Sequence, residues 1–373
     1  MSIAPPAKTQ SDAAAAEGAG PAAAQVLAEA QAMVEPAYRA VVTALPEPLR
    51  QVTGYHVGWW DRAGRPASGT GKAVRPALVL ACARAAASGK PGASARAGDR
   101  EVSIAQARAV PAAVAVELVH DFSLLHDDVM DRDLTRRGRP AAWTVYGVSQ
   151  AILTGDALLT AAMLQLAGAA GSGGARSAGV GVLASTVAAL CAGQAADLTF
   201  EDQCDVTMAD CLAMARDKTG ALLGAAAQLG AMAGGADRGT ASCYRMFGRQ
   251  LGIAFQLIDD LLGIWGDPAV TGKPSGADLT IRKKSLPVVA ALTSGTAAAG
   301  QLRQLYQQGR DLAPEEVVVA AQLVEAAGGR SWAQAEAGRR TQSALDALNR
   351  ARPGPVAAAE LRALAALLAR RDR

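Results

Sequence analysis

Aromatic side chains are scarce in this 373-residue chain, at 4% of positions. A β-sandwich or barrel would draw on more aromatic and β-branched residues, so the core has to be built from Ala, Leu and Val in close-packed helices. Charge bias is lacking too. A formal net charge of +3, with no basic run interleaved with aromatics, gives no footprint for nucleic acid. The five cysteines (Cys82, Cys191, Cys204, Cys211 and Cys243) are odd in number and form no CxxC pair. That argues against a disulfide framework and for a reducing, cytoplasmic setting, with Cys204 and Cys211 read as packing residues. The opening MSIAPPAKTQSD lacks the apolar segment of a secretory signal.

What is present is helical periodicity. Hydrophobic residues make up 50% of the chain and charged residues 19%, the balance of a globular protein. Residues 1 to about 24, rich in Ala, Pro and Gly, predict a disordered tail, with docking to a partner as its alternative role. From Gln25 the pattern turns helical, with Val26, Leu27, Ala30 and Val34 on one stripe. Pro46, Pro48 and Gly54 punctuate the next region, and 91–98 predicts a loop. A long helix is expected over 104–130, then helices at about 149–169, 177–198, 207–233, 240–265, 285–293, 314–326, 331–350 and 355–370. No long linker divides them, so 25–373 reads as one all-α domain. The uncharged stretch 177–196 is rich in Ala, Gly, Ser and Thr. It predicts a buried helix of a large soluble bundle rather than a transmembrane segment.

Acids stand where such helices should be apolar. In LLHDDVMDRDLTRRG (124–138), Asp127 and Asp131 lie four apart, so their carboxylates stack on one helix face and can share a cation. Hard oxygen donors favour Mg²⁺, which binds through one or two carboxylates together with substrate phosphates. A solvated acidic helix end is the plain alternative. FQLIDDLLGIWGD (255–267) supplies a second pair, Asp259 and Asp260, with Gln256 expected on the face of Asp259. Charges inside so apolar a helix are costly unless paired or metal-bound. Two such clusters point to a bundle core in which facing helices hold several ions. The cations form two anion sites. Arg136, Lys218, Lys273 and the Thr219 hydroxyl suit a metal-bound diphosphate; Lys72, Arg75, His120 and Arg137 suit a diphosphate without metal.

The segments GKAVRP, ELVHDFSLLHDDVMDRDLTRRGRPAAW, GDALL, DKTG, FQLIDDLLG and GKPSGADLTIRKKSLPV, in this order and spacing, resemble the trans-isoprenyl diphosphate synthases (polyprenyl synthetases) over about 35–350. The resemblance implies a helical bundle of isoprenoid synthase type around a deep central cavity. It implies three Mg²⁺ held by Asp127, Asp131 and Asp259, with Asp128 and Asp260 in support. Arg136, Lys218, Thr219, Gln256 and Lys273 would then contact an allylic diphosphate (dimethylallyl, geranyl or farnesyl), and Lys72, Arg75, His120 and Arg137 isopentenyl diphosphate. His120 is otherwise a core histidine; it counts because it lies seven residues before Asp127, a support His56 and His126 lack. His126 is read as a structural neighbour of the metal helix. A homodimer is implied as well. Phe122 and Ser123, five and four residues before Asp127, imply a C15–C20 product, geranylgeranyl diphosphate ahead of farnesyl diphosphate.

One position departs from the family pattern. Gly263 stands where the second motif carries its third Asp. Either a supporting acid is lost or Asp267 replaces it from the next turn, and both readings stand. Two rivals remain. A class I terpene cyclase would ionise the same diphosphate without needing Lys72, Arg75 and Arg137, and a non-catalytic regulatory subunit is kept open by Gly263.

Overall fold

The computed structural model describes residues 20–67, 73–88, 95–169, 173–203, 205–268 and 274–369. Lys72 and Lys273 lie outside them, as does Cys204. Helices build nearly all of the described structure, as the composition predicts. Helix α1 (Gly20–Thr43) begins within the segment expected to be disordered, because an alanine run behind Pro21 already favours helix over 20–24. Residues 1–19, and with them the docking role, lie outside the described residues.

Gly54 is not a breaker. It sits inside α2 (Leu49–His56), where the missing Cβ lets the Trp60 indole lie against the helix. Next come α3 (Val74–Ser88) and α4 (Ala95–Met130). Helix α4 absorbs 95–98 of the expected loop, since the good helix formers of ARAGDREVSIAQARA outweigh the single Gly98. A two-stranded ribbon follows, β1 (Thr135–Arg136) paired antiparallel with β2 (Arg139–Pro140). Its turn residues Arg137 and Gly138 take φ of +53° and +72°, the backbone of a tight type I′ reversal that folds Arg136 back over the end of α4.

The chain continues through α5 (Ala142–Tyr146), α6 (Val148–Ala167) and α7 (Gly173–Asp202). The predicted helix over 207–233 is three pieces: α8 (Met208–Ala215), a π-helical turn at Arg216–Gly220, and α9 (Ala221–Ala233). Then come α10 (Arg238–Trp265), α11 (Ala277–Thr280), α12 (Leu286–Leu292), α13 (Ala297–Tyr306), α14 (Pro314–Ala326), α15 (Gly329–Ala351) and α16 (Pro355–Ala369).

Helix α4 sits between α3 and α6, α9 packs on α3 and α10, and α10 packs on α15. Leu78, Leu118, Leu125, Leu158, Tyr244, Phe247 and Leu251 are fully buried at these contacts, so apolar burial fixes α4 and α10 within one wall of helices. Helix α7 differs from expectation. It packs on α6, α9 and the π-helical turn, and only 33% of the most apolar 18-residue stretch within 177–201 is buried, because its small residues cost little when left at the surface. Among the described residues, by length and composition alone, three helices (100–130, 148–167 and 177–201) are long and apolar enough to cross a membrane.

Candidate active site

At the C-terminal end of α4, Asp128 is buried. Arg136 Nε donates to its Oδ1 at 2.8 Å and Nη2 reaches the same oxygen, while the other oxygen is buried without a hydrogen-bond partner. Arg136 also lies 3.6 Å from Asp133. Asp127 is half-buried, and burial pushes its carboxyl up to about 6, against the pull of Lys218 and with the push of Asp131. Asp131, the most open of the three, is raised as well. Burial is the chief cause and the Asp197 charge adds to it, with Lys218 and Lys283 opposing. Gln194 Nε2 donates to Asp131 Oδ1 at 3.1 Å.

On α10, Asp260 is buried and both of its oxygens are used. Gln256 Nε2 donates to one at 2.8 Å and the backbone N–H of Leu286 to the other at 2.9 Å. Gln256 therefore serves Asp260 and not its expected face-mate Asp259, which is half-buried. The Thr219 hydroxyl donates to Gln256 Oε1 at 2.6 Å, and Lys218 Nζ to Asp197 at 2.6 Å. Both residues come from the π-helical turn, a local widening of a helix that commonly marks functional sites. Burial pushes Asp260 up to about 7, Lys283 opposing and Asp278 adding.

Lys283 joins the two sides. Burial disfavours its charge, but Asp278, Asp197, Asp260 and Asp131 together hold its ammonium well above the usual lysine value. Asp131 of the first motif and Asp260 of the second thus lie within electrostatic reach of one cation.

Gly263 is explained by the same neighbourhood. A Cβ there would run into the Asp278 carboxylate, so the space for a third acid on α10 is filled by Asp278 of α11. Asp267 is exposed beyond the end of α10. Sequence reasoning missed Gln194, Asp197, Asp278 and Lys283. The first two are a polar pair three apart at the end of an otherwise apolar stretch, a signal that was available; Asp278 and Lys283 sit in GKPSGADLTIRKKSLPV with no spacing rule to mark them.

Of the second anion set, Arg75, His120 and Arg137 come together. Burial and the Arg75 charge push the His120 imidazole well below its ordinary value; Asp121 opposes, and Arg137 and His56 push it lower still. Arg137 is exposed at the ribbon turn. Burial and Asp121 raise Glu117 to about 7, with Arg75 and Arg137 pulling the other way. Beneath them lies buried Asp121, which accepts a hydrogen bond from Tyr38 at 2.6 Å and lies 3.6 Å from His56. Burial raises its carboxyl, but His56, His120 and Arg137 bring it down to about 2. His56 is therefore a partner of this network, which its lone position in the sequence gave no reason to suspect.

Phe122 and Ser123 are buried, the Phe122 ring edge-on to His126 at 4.8 Å and the Ser123 hydroxyl donating to the His120 carbonyl at 2.8 Å. His126 Nε2 lies 2.9 Å from the Ile152 carbonyl, in keeping with a structural neighbour of the metal helix.

Among the described residues, no three His, Cys, Asp or Glu side chains cluster closely enough to enclose an ion. The donors fit a cation that takes one or two carboxylates and completes its shell with water and phosphate oxygens, as Mg²⁺ does. They are hard oxygens, one of them orphaned on Asp128, and burial drives the Asp127 and Asp260 carboxyls upward, a cost that a divalent cation would relieve.

A family model described as polyprenyl synthetase matches residues 62–324. The chain is 44% identical over 348 residues to geranylgeranyl diphosphate synthase of Mycobacterium tuberculosis, covering 93% of each chain. It is 41% identical over 344 residues to (2E,6E)-farnesyl diphosphate synthase of the same organism, covering 91% of each. The crystal structure of polyprenyl synthetase from Streptomyces coelicolor A3(2) superposes with a TM-score of 0.82 at 41% identity, covering 92% of this chain and 98% of that one.

Proposed function

Because the chain belongs to the polyprenyl synthetase family and is a trans-prenyl diphosphate synthase, we propose that it condenses an allylic diphosphate with isopentenyl diphosphate, using three Mg²⁺, to a C15–C20 product, geranylgeranyl diphosphate ahead of farnesyl diphosphate. The observation that carries this reading is the meeting of the two acidic helices: Lys283 is within reach of Asp131 of the first and Asp260 of the second, and Lys218 beside the first adjoins Thr219, which bonds Gln256 of the second.

Asp127, Asp131 and Asp259 would hold Mg²⁺, which would supply positive charge to offset a departing diphosphate. Lys218, Lys283, Thr219 and Gln256, with Arg136 and by resemblance Lys273, would receive the diphosphate oxygens of the allylic substrate. Arg75, Arg137 and Lys72 hold isopentenyl diphosphate, and His120, kept neutral by its surroundings, donates a hydrogen bond without adding charge. The allylic C–O bond breaks with its electron pair passing to the leaving oxygen. The isopentenyl double bond then attacks the allylic carbon, and a proton is lost to the released diphosphate. Buried Phe122, on the helix of the first motif, stands as the floor that ends growth of the chain.

The protein acts as a homodimer in the cytoplasm. Its pairing surface is the outer face of α6, where Leu153 and Leu164 are 54% and 65% exposed, a surface that an apolar partner would cover. The test is incubation with Mg²⁺, isopentenyl diphosphate and each allylic primer, followed by extraction for diphosphates and hydrocarbons. Elongated prenyl diphosphates are expected. Hydrocarbons alone point to cyclisation, and no product at all to a non-catalytic subunit.

A further inference from the structure

A second arginine cluster lies away from the groups used above. Arg245 and Arg249 stand one turn apart on α10. With Asp217 and Gly220 of the π-helical turn, and with Ser185 and Thr186 of α7, they line a small cavity. Arg216 is close by but is already neutralised: its Nε and Nη2 donate to the two Asp217 oxygens at 2.8 and 2.6 Å. Among the described residues, neither Arg245 nor Arg249 has a salt-bridge partner.

Arg245 is exposed and Arg249 half-buried, and the two like charges sit one turn apart beside a neutral ion pair. Neither lies in the last turn of α10, which ends at Trp265, so the helix dipole does not favour them. Burial, and then the Arg216 and Arg245 charges, weaken the hold of Arg249 on its proton, and Asp217 offsets this only in part. The aliphatic stem of Arg249 is fixed by close packing: Cβ atoms added at Gly220 and Gly224 would lie 3.5 and 3.3 Å from its Cγ and Cβ. A planar donor on a fixed stem, with a second one turn away on the same helix and lining the same cavity, suits the oxygens of a tetrahedral anion.

We propose that this cavity binds a phosphate-class oxyanion, inorganic phosphate or diphosphate, through Arg245 and Arg249. The site shares a structural element with the catalytic pocket. Asp217 and Gly220 wall the cavity, while Lys218 and Thr219 of the same turn engage Asp197 and Gln256.

The test is isothermal titration of the full chain with inorganic phosphate and with inorganic diphosphate, in chelator so that metal-dependent diphosphate binding is silent. Three variants are compared with the unmodified protein: R245Q/R249Q, R75Q/R137Q, and all four changes together. Glutamine keeps the stem that packs on Gly220 and Gly224, so R245Q/R249Q should fold and turn over as the unmodified protein does. One anion per chain is expected to bind R75Q/R137Q. Each lost guanidinium contact weakens binding by at least about tenfold, so R245Q/R249Q should weaken this class by about a hundredfold or more. The proposal is overturned if R75Q/R137Q binds neither anion, or if its binding survives in the fourfold variant.

Discussion

The two acidic helix ends are built differently. The first is contiguous in sequence: Asp127, Asp128 and Asp131 leave one helix end, and Arg136 folds back from the following ribbon to pin Asp128. The second is assembled from several elements. Gln256 and the Leu286 N–H fix Asp260, Lys283 sits nearby, and the third acid arrives from α11 as Asp278 against Gly263. The number of aspartates in a motif is therefore not the number at the site. A glycine in the motif marks a close approach by another carboxylate here, and not a missing group.

The sharpest break of this comparison is Gly263→Asp, which completes the family pattern on paper. kcat/KM is expected to fall by on the order of 10²-fold, because the new side chain displaces Asp278 and with it the Lys283 ammonium that Asp278 helps to hold. A gain in activity would show that the acid was missing after all. Asp278→Ala should fall in the same direction, while Asp267→Ala should stay near the unmodified rate.

A smaller effect on rate, but a visible one on product, separates the two ends. Phe122 belongs to the first helix alone. Phe122→Ala should lengthen the product by at least one isoprene unit while turnover stays within about tenfold. Chromatography of product made from radiolabelled isopentenyl diphosphate reads this directly, and unchanged length removes Phe122 from the mechanism.

The smallest effect concerns the isopentenyl side. Glu117 is raised to about 7 in the fold, so its protonated form is favoured there. Its contribution to stability is complete below the ordinary glutamate range and is lost as pH rises through about 7. Between pH 5 and 8, the Tm of Glu117→Gln should fall less than that of the unmodified protein, by about 2 °C, in a thermal melt.

Much of this was legible in the chain because the acids and cations lie in local patterns. Asp127 and Asp131 follow helical spacing, and DKTG and FQLIDDLLG stand out against apolar surroundings. The helix order was legible for the same reason, from apolar periodicity. What was not legible depends on tertiary approach. Gly54 reads as a turn until Trp60 is seen against it, and Gly263 as a loss until Asp278 is. That Gln256 bonds Asp260 was not legible because Asp259 and Asp260, three and four residues on, are both within its reach on a helix. The π-helical turn at 216–220 was read as plain helix, since no residue type signals one extra residue in a turn. Short α13 went unseen in an alanine-rich stretch with few apolar anchors.

The central claim is that both acidic helix ends grip one and the same cation–diphosphate assembly. Calorimetric binding of inorganic diphosphate in the presence of Mg²⁺ tests it with three variants: Asp127→Asn, Asp259→Asn and the pair together. If the assembly is shared, each single change removes most of the Mg²⁺-dependent affinity and the double change costs little beyond either one. If the two losses multiply as independent factors, the helix ends bind separately and the account is wrong.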